Sequence, residues 1–367
     1  MNKLFIFLLG FMTLASALAA PLPVIPQSGA MSNHSCTLIG TELVCWGSNT
    51  RGQIGDSTVT DVHFPQTVIP KAVGGVSMGS EHTCGLHESK VKCWGTNEEG
   101  QINYTDENGQ SGPWEVLDGA LKGTLISTGD AHSCGVMNAK LYCWGRNTFG
   151  QLGDSSNTES NTPRVAITAG VVQVKAGANH TCAIIAAGAL KCWGNNEDGQ
   201  LGINTNTSIN APSTTITTGV TQVRLGEKHT CYVKTGALFC MGNNDHGQLG
   251  TGDTTASSIP VEVISAGVTS VELGANHTCA IRYGSLRCWG DNTYGQLGNG
   301  DTTDILSPSV IVGLNVSAVG AGKDHTCSVK NFIQYCTGKN DHGQLGDGSV
   351  TDSSEFVEVL LFKKAKQ

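Results

Sequence analysis

Cysteine and histidine are the residues of this chain best suited to chemistry, and they recur together. The sequence holds 14 Cys and 11 His, and seven of the histidines stand two places before a cysteine: His34-Ser-Cys36, His82-Thr-Cys84, His132-Ser-Cys134, His180-Thr-Cys182, His229-Thr-Cys231, His277-Thr-Cys279 and His325-Thr-Cys327. Cysteine with histidine can hold zinc, but each such site would need reduced thiols and two further ligands. A second cysteine follows the first after nine residues, or after ten between Cys182 and Cys192. Two arms of a hairpin would bring such a pair face to face at a Cα separation of about 5.5 Å, which suits a disulfide. The expected bridges are Cys36 with Cys45, Cys84 with Cys93, Cys134 with Cys143, Cys182 with Cys192, Cys231 with Cys240, Cys279 with Cys288 and Cys327 with Cys336, with no thiol left over. Each repeated histidine then sits beside a bridge, where its ring is expected to pack and hydrogen-bond within its own repeat. The other four, His63, His87, His246 and His342, form no triad spacing and no two-His-plus-carboxylate motif. No catalytic residue, metal ligand or cofactor is nominated, and the chain reads as a non-enzyme.

Two other elements invite a chemical reading. The recurring Gly-Gln-Leu-Gly is glycine-rich, yet no lysine follows it and no helix opens after it, so it is a turn and not a phosphate cradle. Asp301-Thr-Thr-Asp304 and Asp347-Gly-Ser-Val-Thr-Asp352 offer oxygen ligands for calcium but lack the full set of a dedicated loop, and read as solvated turns. The stronger functional signal is variation on a constant frame. Immediately before each Gly-Gln stand Arg51, Glu99, Phe149, Asp198, His246, Tyr294 and His342. If the repeats close into a ring, one turn presents seven different side chains on one face, and aromatic and arginine groups are typical anchors of protein interfaces. Copy two diverges most, with 103–109 and with Trp114, the one tryptophan outside the repeat frame, as a further candidate contact.

The elements that must position these residues follow from the repeat itself. The His-Ser/Thr-Cys triplets start 48, 50, 48, 49, 48 and 48 residues apart, and each is followed by a Cys-Trp-Gly or related block and then by Gly-Gln. Within copy four, Val172–Ala176 alternates as a half-buried strand, Cys182–Ile185 and Leu190–Trp193 read as the arms of a hairpin, and Pro163–Ile167 adds a strand with its proline at the start. The extra residue of this copy falls in the Ala186-Ala187-Gly188 turn. Four short strands per repeat make one propeller blade, which cannot bury both faces alone. The expectation is an all-β, seven-bladed propeller of four-stranded antiparallel blades. Because almost no strand precedes His34 while Phe356–Leu361 has no evident blade, the C-terminal strand is expected to join the first blade and tie the ring shut.

Ahead of the repeats, Lys3, the apolar run 4–14 and Ala17-Leu18-Ala19 form a secretory leader, giving a signal peptide over 1–19 and a single propeller domain over 20–367. Export agrees with disulfide use and places the chain in the periplasm or outside the cell. The formal net charge of −8 argues against nucleic acid as a partner, since the one basic cluster is Lys363, Lys364 and Lys366 in the tail. No run beyond the leader is long enough to span a membrane.

His-Thr-Cys-Ala, Cys-Trp-Gly-x-Asn and Gly-Gln-Leu-Gly together resemble the repeat of the regulator of chromosome condensation family, from about Ser32 to Phe362. The resemblance implies a seven-bladed propeller, with Met241 and Thr337 standing where the repeat has tryptophan, so that those two blades should pack differently. Its nuclear members resemble exchange factors for a small GTPase, a partner that an exported acidic chain would not meet. A secreted bacterial β-lactamase inhibitor looks like a similar ring whose loops cover an enzyme. Fold does not carry function. The leading expectation is a monomeric, secreted binding protein that recognises an unidentified protein or cell-surface partner through one face. A lectin-like binder of glycans or cell-wall polymers is the alternative, followed by an extracellular hydrolase or enzyme inhibitor.

Overall fold

The computed structural model describes residues 23–361 apart from 28, 72, 89, 103–113 and 118–124, and leaves out the side chains of 114–117. The leader and the basic tail therefore lie outside the described residues. Seven four-stranded antiparallel sheets follow one another along the chain, over 24–69, 73–117, 126–167, 171–216, 220–264, 268–312 and 316–358. In the fourth, the strands Val171–Ala176, His180–Ile185, Ala189–Gly194 and Ile209–Ile216 run in order from the axis outward. The only helical element among the described residues is the single turn Ala186–Gly188, which takes up the extra residue of copy four.

Every expected disulfide is formed, at sequence separations of 9 or 10, and no described cysteine is free. Each joins the second strand of a blade to the third. The Cα separations are 4.1–4.2 Å, well under the 5.5 Å expected from sequence. That closer spacing belongs to the non-hydrogen-bonded class of facing pairs, where side chains approach most nearly.

Two expectations about strands need correction. The C-terminal strand does not enter the first blade. Ser353–Glu358 pairs with the strand before it, with Val357 opposite Cys336, and is the outermost strand of blade seven. Blade one is completed by Val24–Pro26, whose register sets Val24 against Ile39 and Pro26 against Thr37. Three residues ending in proline are too few to show a period, so this strand could not be read from sequence. The second correction concerns Pro163, which occupies the fourth place of Ser160–Ile167 and not its start. Pairing jumps there from Gly145–Ser160 to Cys143–Arg164, so the proline sits in a bulge of the outermost strand, where no ladder donor is needed. Pro65, Pro212, Pro260 and Pro308 hold the same place in other blades.

Neighbouring blades are joined by polar clamps that the repeated histidines provide. Each ring reaches out of its own blade: His34 meets Thr83, His82 Ser133, His132 Thr181, His180 Thr230, His229 Thr278, His277 Thr326 and His325 Ser35, all at 2.6–3.0 Å from Nε2. The expectation of bonds within one repeat holds for His34, whose Nδ1 lies 2.8 Å from Ser32 Oγ, but the contact common to all seven is a circle of bonds between repeats. At five seams the receiving hydroxyl donates its single hydrogen to the carbonyl of the preceding blade's Gln53, Gln101, Gln151, Gln248 or Gln344. The imidazole must therefore donate from Nε2. The same five carbonyls accept Nε1–H from Trp94, Trp144, Trp193, Trp289 and Trp46 at 2.8–3.0 Å.

Where tryptophan is missing the seam changes, as expected. Met241 lies over Gly202, and Thr337 donates to the carbonyl of Gly295 while Phe356 covers Gly298. The seam between blades seven and one is built like the others, with Gly343 and Gly346 at φ +78 and +68. A Cβ on Gly343 would lie 2.7 Å from the His63 Cα, and one on Gly346 would lie 2.6 Å from the Trp46 indole nitrogen. Only glycine fits there. Because Thr278 serves both His229 and Gln248, Thr278→Val should strand the imidazole donor in a buried site and cost about 2 kcal/mol. Urea unfolding measures this, and an unchanged midpoint would remove the clamp from the account of stability.

Candidate binding face

Alternating strand directions place two sets of loops on one face: those from innermost to second strand, and those from third to outermost. The second set carries the variable residues, and its frame is the same in all seven blades. The Gln side-chain oxygen accepts the backbone N–H of Arg51, Glu99, Phe149, Asp198, His246, Tyr294 and His342. The Asn carboxamide oxygen five residues before each Ile or Leu accepts that residue's N–H, from Asn49 to Ile54 through Asn340 to Leu345. The backbone is thereby fixed while the side chain at one position is left free to vary.

The structure brings these seven into a circle, and each reaches toward the following blade. Arg51 lies 3.7 Å from Glu81 and 3.3 Å from Glu98. Glu99 pairs with Arg146 at 2.9 Å, and Asp198 accepts from Asn243 at 3.0 Å and lies 3.6 Å from Lys228. His246 meets Asp304 at 2.9 Å, Tyr294 lies beneath the Lys339 ammonium at 5.0 Å, and His342 meets Asp61 at 2.7 Å. Phe149 lines an open hollow of about 520 Å³ with Asn157 and the stretch 208–213. Arg51 is exposed and the others are half-buried, so all but Arg51 divide their surface between blade contact and solvent. Trp114 opens the outermost strand of blade two opposite Cys93, but its side chain, like 103–113, lies outside the described residues.

Sequence reading missed a second variable column. The residue directly after each Cys-Trp-Gly or related block also varies, as Ser48, Thr96, Arg146, Asn195, Asn243, Asp291 and Lys339, and four of these lie beside the first column of the preceding blade. Arg146 meets Glu99, Asn243 meets Asp198, Asp291 meets His246 and Lys339 meets Tyr294. The repeat alignment carried this signal, since the position varies as widely as the one before Gly-Gln. Partial burial works against the charge of Arg146, but hydrogen bonds and attraction from Glu99 and then Asp130 outweigh it and raise its pKa. The same competition raises His246, where desolvation is overcome by the Asp304 hydrogen bond and by Asp291, Asp304 and Asp245. Glu81, Glu98, Glu99 and Asp130 surround a polar hollow of about 350 Å³ with Arg146 and Lys323. The Asp-rich stretches build turns: Asp301 accepts the Thr303 N–H, and Asp347 and Asp352 accept those of Ser349 and Asn340.

Seven such blades, each with its Trp or substitute docked on the preceding Gln turn, match the RCC1-like domain over residues 42–367. The chain belongs to the RCC1-like domain family. No curated protein matches the chain by sequence. Among solved structures, this RCC1-like chain resembles human WBSCR16 with 23% identity and a TM-score of 0.77, covering 87% of this chain and 94% of that one. Prp20p of Saccharomyces cerevisiae, whose structure is described with its binding to Gsp1p and histones, has 20% identity and a TM-score of 0.77, over 93% and 86%. The CRINKLY ectodomain of the Arabidopsis thaliana receptor kinase ACR4 has 19% identity and a TM-score of 0.51, over 87% and 95%. At these identities the likeness establishes the fold. Among the described residues of this RCC1-like chain, no helix is long and apolar enough to cross a membrane.

Proposed function

We propose that this RCC1-like propeller is an exported, non-enzymatic binding protein that recognises another protein through the face bearing Arg51, Phe149 and Tyr294. The observation that carries the reading is the constant hydrogen-bonded turn with a different side chain in each of seven blades. Such a frame costs the partner little ordering entropy, because the loops are already fixed. The seven disulfides fit an oxidising compartment, in agreement with the leader read over 1–19. A protein partner is in keeping with the binding described for Prp20p. The oxidised chain, used as bait on envelope and secreted fractions, is expected to retain one stoichiometric protein. The Arg51→Ala/Phe149→Ala/Tyr294→Ala variant should weaken that complex by tenfold or more, about 1.4 kcal/mol or greater, in direct titration. Retention of glycan or cell-wall material with no protein, or a complex indifferent to the variant, would overturn the reading.

A further inference from the structure

We propose that His246, Asp291 and Asp304 form a site for a divalent transition metal of the zinc class, spanning the seam between blades five and six. His246 Nδ1 lies 2.9 Å from Asp304 Oδ2 and 4.0 Å from Asp291 Oδ1, and one donor atom from each residue falls within 4.8 Å of the others. Tetrahedral zinc with bonds of about 2.0–2.1 Å sets its donors about 3.4 Å apart, so shifts of less than about 1 Å bring the three into place. The carboxylates are already held. Asp304 Oδ1 accepts the Asn292 N–H at 2.9 Å, and Asp291 Oδ1 accepts from the Thr293 N–H and hydroxyl at 2.9 and 2.7 Å. Supports of this kind orient ligands in metal sites.

Charge favours a metal over a proton. Asp291 is only 7% exposed, and among the described residues no lysine or arginine lies within ion-pair distance of Asp291 or Asp304. On the three side chains alone, a protonated His246 leaves one net negative charge, whereas a divalent ion with neutral imidazole leaves none. The imidazole donor selects against calcium and magnesium, which take oxygen ligands. Three protein ligands leave a fourth position for water.

The repeat supplies its own control. His342 and Asp61 form the equivalent pair at the seam of blades seven and one, 2.7 Å apart, but Ser48 stands where blade six has Asp291. That seam has two donors and should bind metal poorly. The untagged oxidised chain is titrated with Zn²⁺ by calorimetry and with Co²⁺ by visible absorption. One equivalent should bind, and His246→Gln, Asp291→Asn and Asp304→Asn should each weaken it tenfold or more, while His342→Gln leaves it unchanged. Ser48→Asp should add a second equivalent. Absence of binding overturns the site, as does binding unaffected by His246→Gln or lost equally in His342→Gln. Each variant is compared by tryptophan fluorescence, so that loss of metal is read only from folded protein.

Discussion

Acidification from pH 6.5 to 4 should unfold this propeller cooperatively while every disulfide remains intact. The seven clamp histidines are fully buried, and burial is the first cause that pushes their pKa down to about 3, or to about 4 for His277. Folded, these rings stay neutral; unfolded, they take up protons below about pH 6.5. Their contribution is therefore complete above pH 6.5 and is lost as the pH falls toward 3. Each ring removes roughly 1 kcal/mol per pH unit across that window, so seven together exceed the net stability of an ordinary domain within about two units. His246 runs in the opposite sense, because its raised pKa adds stability below about 6.5 that is lost at higher pH. One half-buried ring cannot offset seven. Thermal unfolding measured against pH should show the melting temperature falling steeply below pH 6, with proton uptake on unfolding approaching seven. A flat profile from pH 7 to 4 would contradict the clamp geometry.

Reduction should be the other decisive perturbation. Each bridge closes a loop of nine or ten residues, worth roughly 2.5 kcal/mol of unfolded-chain entropy, and seven could contribute on the order of 15 kcal/mol if their effects add. The native ring shields its sulfurs, since the bridged cysteines are buried between second and third strands. Reductant alone should act slowly on the folded protein. Once unfolded and reduced, the chain should fail to regain the propeller, whereas the oxidised chain should refold from urea. Reduced protein with an unchanged urea midpoint would show that packing and the histidine circle suffice.

Period, blade number, disulfide pairing and the two tryptophan substitutions were all legible before any coordinates, because each recurs and recurrence averages away local ambiguity. What was illegible occurs once or depends on a neighbouring blade. Val24–Pro26 is unique in length and gives no period. The clamp partners were hidden because His34 and Thr83 lie 49 residues apart and each looks complete within its own repeat. Charge pairs such as Glu99 with Arg146 could be found only by comparing one copy with the next, a step that reading along the chain does not make. The candidate face was legible as a column of varying residues. Its engagement with the following blade was not, since contact across a seam requires knowing which edge of one repeat meets which edge of the next.

Because each sheet's described strands are consecutive along the chain and, among the described residues, no strand is exchanged between the first blade and the last, the break in the ring between them has no mechanical role. Gly29 and Lys323 bridge the blade-seven and blade-one seam through their backbone N–H groups much as Asp130 and Ala275 bridge others. The ring is thus a hoop without a clasp. Its circular order, and not its linear order, is what the contacts encode, so a circular permutant opened at another connection between blades would assemble the same seven seams and present the same face.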